Sequence, residues 1–197
     1  MHIEVDLLIA WGAVARKYSK SEFVFYENDP CKYYYQILDG RVKMCCYNED
    51  GKVFIQGMFE SGESFGEPPL FISLPYPACA VTESVSVIYR LPKETFVRLL
   101  EEYPALKMQF LTGFARRIYD KSARNKDIVN AHPDQKIRSF LDNYKLNHSS
   151  KPGKTFIPMT RQQIADSLGL RVETVIRTLL KMEEKGVVEI IKHKLYY

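Results

Sequence analysis

The chain has 197 residues, of which 46% are hydrophobic and 26% are charged, and its formal net charge is +4. This length accommodates one large domain or two smaller ones, and the apolar content is sufficient for a packed core, which excludes a wholly disordered chain. Residues 1–20 carry acidic side chains and no basic leader, and no apolar run is long enough to span a membrane. We therefore expect no signal peptide, no membrane partner and a cytoplasmic location.

The excess positive charge is concentrated at the C-terminal end. Residues 151–197 hold 9 Lys and Arg against 5 Asp and Glu, whereas residues 1–150 hold 19 of each. A basic segment favours a polyanionic partner, although a solvated surface would explain the same excess.

The cysteines follow neither a disulfide framework nor a CxxC metal pattern. We expect all four to be reduced packing residues; they are Cys31, Cys45, Cys46 and Cys79.

In chain order, the first expected element is a short amphipathic helix over residues 5–18. Between residues 23 and 91 the pattern changes to short runs rich in β-formers: EFVFY, YYYQIL, RVKMCCY, KVFIQGMF, ACAV and VSVIYRL. Turn signals separate the runs, and the strongest hairpin signals are Asp39-Gly40 and Asp50-Gly51. No helical pattern interrupts the runs, so we expect an antiparallel sandwich or barrel over residues 1–100 and no βαβ fold.

Residues 93–130 are helical in composition, with a break near the start at Pro104. A heptad-like stripe with alternating spacings of three and four runs through Leu111, Phe114, Ile118, Lys121, Asn125 and Ile128. Packing of a single helix on the barrel would explain the apolar first half of the stripe. A dimer seam would explain the whole stripe, because polar seam residues can fix the register at some cost in stability. We favour a dimerisation helix over residues 101–130.

A helix is predicted to start at Pro133. The segment SSKPGKTF follows as a linker, and two further helices are predicted after it. Thr160 and Gln163 form a capping-box pattern at the start of the first, and Gly169 is suited to its end. The second is predicted from about Val172 to Lys185.

A small residue is needed where two such helices cross, with an apolar residue facing it, and Ala165 and Val175 meet this need. The final GVVEIIKHKLYY alternates around a Lys192-His193-Lys194 turn, as in a β-hairpin wing. We therefore expect a winged helix-turn-helix over residues 131–197.

Glu173 and Arg177 lie four residues apart and point outward if Val175 points inward. In the DNA major groove, glutamate accepts from cytosine and arginine bonds guanine. The alternative is a surface ion pair worth a few tenths of a kcal/mol. We favour double-stranded DNA, contacted by Thr160, Arg161, Gln162, Arg171, Val172, Glu173, Thr174 and Arg177.

The segments ILDGRVKM, GESFGE, FARRIYDKS and TRQQIADSLGLRVETVIRTLLKMEEKGVV occur in an order that resembles the Crp/Fnr family of bacterial transcription regulators, over nearly the whole chain. The resemblance implies an α+β fold with an antiparallel β-roll similar to cyclic-nucleotide-binding jelly rolls, a long dimerisation helix and a C-terminal winged helix-turn-helix. It also implies a homodimer that binds a near-palindromic operator, acts on RNA polymerase and is switched by an effector that the sequence does not identify.

By this resemblance, the effector pocket would be formed by Gly66, Glu67, Tyr76, Pro77, Lys121 and Ser122. Cyclic-AMP-binding members place a Gly-Glu pair on the ribose, an Arg-Ser pair on the phosphate, and a Thr-Ser pair on the long helix. Only the Gly-Glu pair is fully matched here, and no Lys or Arg occurs between residues 68 and 89. A buried phosphate without a cationic partner is costly, so we do not expect tight binding of cyclic AMP.

The same resemblance argues against two other cofactors. The iron–sulfur branch clusters cysteines near its N-terminus, but no cysteine precedes Cys31 here. The haem branch uses a sensor-domain histidine, and only His2 precedes the long helix. We expect neither an iron–sulfur cluster nor haem, no metal site and no catalytic residues, because the four histidines are scattered.

The reading helix departs from the family at two positions. Arg171 stands where a Ser or Thr cap is usual, and Ile176 replaces a small residue before Arg177. The resemblance therefore does not carry over the flanking base preference. The alternative function is a ligand-sensing or protein-docking module whose helix-turn-helix does not bind DNA.

Overall fold

The computed structural model describes residues 2–48, 51–130, 132–148 and 153–197, without the side chains of residues 120, 121, 123–130 and 147. The chain divides into two compact units, Met1–Arg116 and Arg117–Tyr197. The predicted division at residues 100 and 130 is a different partition of the chain and stays a prediction. No helix within the described ranges is both long and apolar enough to cross a membrane.

The N-terminal unit consists of two antiparallel four-stranded sheets flanked by helices. Its elements are α1 Val5–Ala10, β1 Val14–Tyr18, β2 Phe23–Phe25, β3 Tyr33–Asp39, β4 Arg41–Tyr47, β5 Val53–Glu60, β6 Ser64–Phe65, α2 Pro68–Ile72, β7 Cys79–Thr82, β8 Ser86–Pro92, α3 Lys93–Glu102 and the start of α4 Pro104–Asn130. The strand orders are β1-β8-β3-β6 and β2-β7-β4-β5. Helices with antiparallel sheets confirm the predicted α+β class.

The core between the sheets is largely aromatic. Its buried members are Tyr18, Phe25, Tyr35, Ile37, Val42, Phe65, Tyr76, Ala80 and Ile88. A second cluster packs α3 and the first turns of α4 on the strands, with Tyr34, Leu91, Phe96 and Phe110 among its buried members.

The predicted helix over residues 5–18 is wrong beyond residue 10. Gly12 has a φ of +83°, and residues Val14–Tyr18 form strand β1, which pairs antiparallel with β8. The backbone N–H and C=O groups of this segment are hydrogen-bonded to a strand about seventy residues away in sequence. Local periodicity does not reveal such a distant pairing.

The expectation that no helix interrupts the strands is also wrong. Helix α2 runs from Pro68 to Ile72, and its C-cap residue Ser73 has a φ of +54°. At five residues, α2 is too short to generate a helical period.

The Asp39-Gly40 hairpin is likewise wrong. Strands β3 and β4, which flank this dipeptide, belong to different sheets, so the dipeptide is a crossing between sheets. Gly40 has a φ of +100°, and a Cβ added there would overlap Ser86 Oγ and lie 2.7 Å from Ser86 Cα. The crossing therefore requires glycine both for its conformation and for its close approach to β8.

The second hairpin signal is confirmed, since β4 and β5 pair from Arg41↔Glu60 to Tyr47↔Val53. Asp50 itself lies outside the described residues.

The C-terminal unit contains the rest of α4 and then α5 Pro133–His148, β9 Phe156–Ile157, α6 Arg161–Leu168, α7 Val172–Glu184, β10 Glu189–Ile191 and β11 Lys194–Tyr196. Its strands form one sheet in the order β10-β11-β9. Strand β9 lies at the end of the segment that was expected to be a linker. The predicted break at Pro104, the predicted helix start at Pro133 and the predicted pair of helices are confirmed.

Candidate nucleic-acid interface

Helix α6 begins with the predicted capping box. The Thr160 hydroxyl accepts a hydrogen bond from the Gln163 N–H at 3.1 Å, and the Gln163 side chain accepts one from the Thr160 N–H at 2.8 Å. Gly169 ends the helix with a φ of 64°. The predicted start and end of α6 are therefore both confirmed, and the start of this helix is fixed by two reciprocal bonds.

The other two predicted contact residues of α6 already have partners. The Gln162 amide donates to Asp166 at 2.8 Å, which orients this side chain along α6. Arg161 is half-buried, and burial lowers the pKa of its guanidinium while Glu183 acts in the opposite direction. The Glu183 carboxylate also accepts from the Ile190 N–H at 2.9 Å, which links α7 to the wing.

Helix α7 has a buried face and an exposed face. Val175, Leu179 and Met182 are buried as predicted, and Ala165 of α6 is fully buried as well. Thr178 is a buried polar member of the same face that the sequence stripe did not include. This packing turns the opposite face of α7 outward.

The outward face of α7 presents Glu173, Ile176, Arg177, Leu180, Lys181 and Glu184. Within the described residues, Glu173 and Arg177 form no ion pair with each other. Both charged groups are therefore available for another partner. The alternative prediction, an ion pair between Glu173 and Arg177, is not what the structure shows. Leu180 and Lys181 were missed as members of this face, although helical spacing from Arg177 would have placed them there.

Three further predicted residues lie at the N-terminus of α7. Arg171 is exposed and occupies the capping position without a capping bond from its side chain. Val172 and Thr174 are partly exposed in the first turn. A free guanidinium beside a helix N-terminus suits a phosphate, which backbone N–H groups at such a terminus also favour.

The wing is a two-residue hairpin between β10 and β11, paired from Glu189↔Tyr196 to Ile191↔Lys194. Lys192 and His193 form the turn, with φ values of 47° and 65°, as in a type I′ turn. Lys194 belongs to β11 rather than to the turn, and all three side chains are exposed. The predicted wing is confirmed, and its tip is basic.

Three of the predicted effector-pocket residues, Gly66, Glu67 and Tyr76, lie in a packed interior of the N-terminal unit. The Tyr76 ring stacks on Phe25 with centroids 3.6 Å apart, and a Cβ added at Gly66 would lie 2.9 Å from Phe25. Glu67 is fully buried, and its carboxylate accepts a hydrogen bond from the Ser64 hydroxyl. Burial raises the pKa of the Tyr76 phenol.

The remaining pocket residues are not brought to this interior by described contacts. Pro77 is exposed, and its carbonyl accepts from the Cys46 thiol at 3.5 Å. Ser122 is exposed on α4, and Lys121 lies outside the residues whose side chains are described. The aromatic stack on Gly66 was missed because Phe25 and Tyr76 are distant in sequence.

On α4, the described side chains of the predicted dimer stripe are exposed at two positions and partly buried at a third. Leu111 is 58% exposed and Ile118 is 65% exposed. Phe114 is partly buried against Phe71 and Phe110. Asn125 and Ile128, like Lys121, lie outside the residues with described side chains.

Two family models match the chain: a cyclic nucleotide-binding domain over residues 15–103 and a Crp-like helix-turn-helix domain over residues 135–196. The nitrogen fixation regulation protein FixK of Bradyrhizobium diazoefficiens is 29% identical over 185 residues, covering 88% of this chain and 73% of the relative. The transcriptional activator protein anr of Pseudomonas aeruginosa is 26% identical over 176 residues, with coverages of 88% and 72%.

Solved structures share the fold. FixK2 from Bradyrhizobium japonicum has a TM-score of 0.78 at 20% identity, over 93% of this chain and 91% of that structure. A CooA variant from Carboxydothermus hydrogenoformans has a TM-score of 0.83 at 16% identity, with coverages of 98% and 86%. The c-di-GMP-responsive regulator CLP of Xanthomonas campestris has a TM-score of 0.76 at 21% identity, with coverages of 97% and 96%.

Proposed function

This chain belongs to the Crp/Fnr family of transcription regulators, and we propose that it binds a near-palindromic operator as a homodimer in which helix α7 of each copy reads one half-site. It is a DNA-binding regulator rather than an enzyme. The observation that supports direct contact with base edges concerns Glu173 and Arg177. Both are exposed on α7, on the side opposite the buried Val175, and they form no ion pair with each other.

Arg177 is proposed to donate two hydrogen bonds to a guanine, and Glu173 to accept one from a cytosine on the opposite strand. The N-terminal part of a recognition helix contacts base edges, and both residues lie in the first half of α7. By family resemblance, the half-site has a TGA-like core. The two half-sites should be about 10–11 base pairs apart, centre to centre, because a two-fold dimer presents its helices one helical turn apart.

The other predicted contacts are assigned to the DNA backbone. Arg171, exposed and not used as a cap, is placed on a phosphate. Thr160, Arg161 and Gln162 lie at the N-terminus of α6, where backbone N–H groups favour an anion. The basic wing tip adds attraction that does not depend on sequence.

The homodimer is proposed to form along α4. Leu111 and Ile118 are large apolar side chains that are mostly exposed in the single chain, and burying them against a second copy would remove apolar surface from water. The polar members of the stripe, Lys121 and Asn125, would fix the register of the pair.

The N-terminal unit is proposed to receive a signal other than cyclic AMP. The stacked rings of Tyr76 and Phe25 occupy the space beside Gly66, and the segment that would supply a phosphate-binding cation has none. Neither an iron–sulfur cluster nor haem is proposed as its cofactor. RNA polymerase is proposed as the protein partner by family resemblance, and the cytoplasm as the location.

The test is selection of bound DNA from a random pool by the purified full-length chain. The expected result is enrichment of a near-palindrome whose half-sites have the spacing given above. A variant with Arg177→Ala should enrich sequences in which the guanine of each half-site is degenerate. If the wild-type chain enriches no sequence, the docking-module alternative replaces the proposed function.

A further inference from the structure

Ile176 is a large apolar side chain on the reading face of α7, and neither the core nor the charged pair explains it. It is 43% exposed and lies on the outward face of α7 with Glu173 and Arg177. A single exposed isoleucine on an ordinary surface needs no explanation. This one stands among the residues proposed to touch base edges.

The position of Ile176 on the helix limits what it can meet. Residues three and four apart share a helix face, so Ile176 lies on the same side as Glu173 and Leu180. The helix rises about 1.5 Å per residue, which is less than half of the 3.4 Å spacing of base pairs. Ile176 and Arg177 are therefore separated along the helix axis by less than one base-pair step, although their side chains point in directions about 100° apart.

The major groove presents one apolar group that an aliphatic side chain can recognise, the C5-methyl of thymine. The other base edges present hydrogen-bond donors and acceptors, which an isoleucine cannot satisfy and would desolvate. We infer that Ile176 contacts a thymine methyl group in each half-site, at a base pair next to the guanine read by Arg177. This inference rests on the proposed function, and it makes Ile176 a specificity-determining residue.

The test removes only the methyl group. Each thymine of the selected operator is replaced in turn by deoxyuridine in both half-sites, and the dissociation constant of the full-length chain is measured by fluorescence anisotropy. At one thymine next to the guanine, wild type should lose about four-fold in affinity per half-site, which corresponds to the burial of one methyl group. Ile176→Ala should bind the thymine and deoxyuridine operators equally.

Two variants serve as controls. Leu180→Ala removes a side chain of similar exposure, 49%, from the same face of α7 one turn further along, and it should keep the wild-type discrimination. Ile176→Val keeps a branched aliphatic side chain and should discriminate partially. Because Ile176 is exposed, neither change at this position is expected to disturb folding.

The outcomes separate the inference from the proposed function. If wild type binds every deoxyuridine operator as tightly as the thymine operator, or if Ile176→Ala still discriminates fully, the inference is wrong. The proposed function then stands as long as Arg177 retains its guanine preference. If wild type has no preferred DNA sequence, both are wrong.

Discussion

Replacing Gly40 with alanine is expected to destabilise the N-terminal unit strongly. The φ of +100° at Gly40 is unfavourable for a residue with a Cβ, which costs about 1–2 kcal/mol. The added Cβ would also lie 2.7 Å from Ser86 Cα, well inside the roughly 3.5–4.0 Å of a favourable carbon contact. Displacing strand β8 to relieve such an overlap costs about 1–3 kcal/mol more. The sum is a loss of about 2–5 kcal/mol in the free energy of unfolding.

Gly62→Ala is the matched control for this experiment. Gly62 has a φ of +87°, but a Cβ added there has nothing within 4 Å. Its substitution should cost only the conformational part, about 1–2 kcal/mol. Comparing the two variants therefore isolates the contact with Ser86.

The assay is urea unfolding followed by tryptophan fluorescence. Trp11 is the single tryptophan of the chain and packs edge-on against Tyr103 within the N-terminal unit, so the signal reports this unit. Equal losses for Gly40→Ala and Gly62→Ala would refute the argument that the crossing between the two sheets requires a close approach to β8.

Four further experiments follow: two address the nucleic-acid interface, one the dimer seam and one the effector. Arg177→Ala should lose about 1–3 kcal/mol on the specific operator and relax selectivity at the guanine, whereas Arg171→Ala should weaken all sequences alike and lower the salt slope. Competitive binding at two salt concentrations measures both, and a uniform loss in Arg177→Ala would contradict base readout. Thr160→Ala should lower the free energy of unfolding by about 0.5–2 kcal/mol, detected by circular dichroism, while Thr160→Ser should be nearly neutral. A chain carrying Leu111→Asp and Ile118→Asp should sediment as a monomer, and a persistent dimer would exclude α4 as the seam. Calorimetry with cyclic AMP should show no low-micromolar binding. A saturable isotherm in that range would disprove the argument that the stacked rings of Phe25 and Tyr76 occupy the space beside Gly66.

The C-terminal unit was predictable because its signals are local. The capping box at Thr160, the left-handed Gly169 and the buried Val175 each follow from residues within one or two helical turns. The exposed face of α7 then follows from the same spacing. The sequence could not show whether Glu173 and Arg177 form an ion pair, because the rotamers of the two side chains decide whether their charged groups meet.

The N-terminal unit was less predictable because its contacts are distant. Residues 14–18 were predicted to be helical from their local pattern, but they form strand β1 because they pair with the distant strand β8. The Asp39-Gly40 dipeptide is a local hairpin signal, but strands β3 and β4 pair with other partners in different sheets. The stack of Phe25 on Tyr76 joins residues 51 positions apart in a chain where no local pattern marks either partner. The sequence could therefore not show that aromatic side chains fill the space beside Gly66, and the effector pocket stays a prediction.

The turn at the wing tip has a consequence for any attempt to make this protein more heat-resistant. Lys192 and His193 both adopt left-handed backbone conformations, which for residues with a Cβ disfavour the folded state by roughly 1–2 kcal/mol each. An Asn-Gly pair would suit the turn better and is the obvious stabilising choice. It would also remove the Lys192 cation from the tip, and with it part of the long-range attraction for a polyanion. At this hairpin, thermal robustness and speed of association with DNA are opposed design goals.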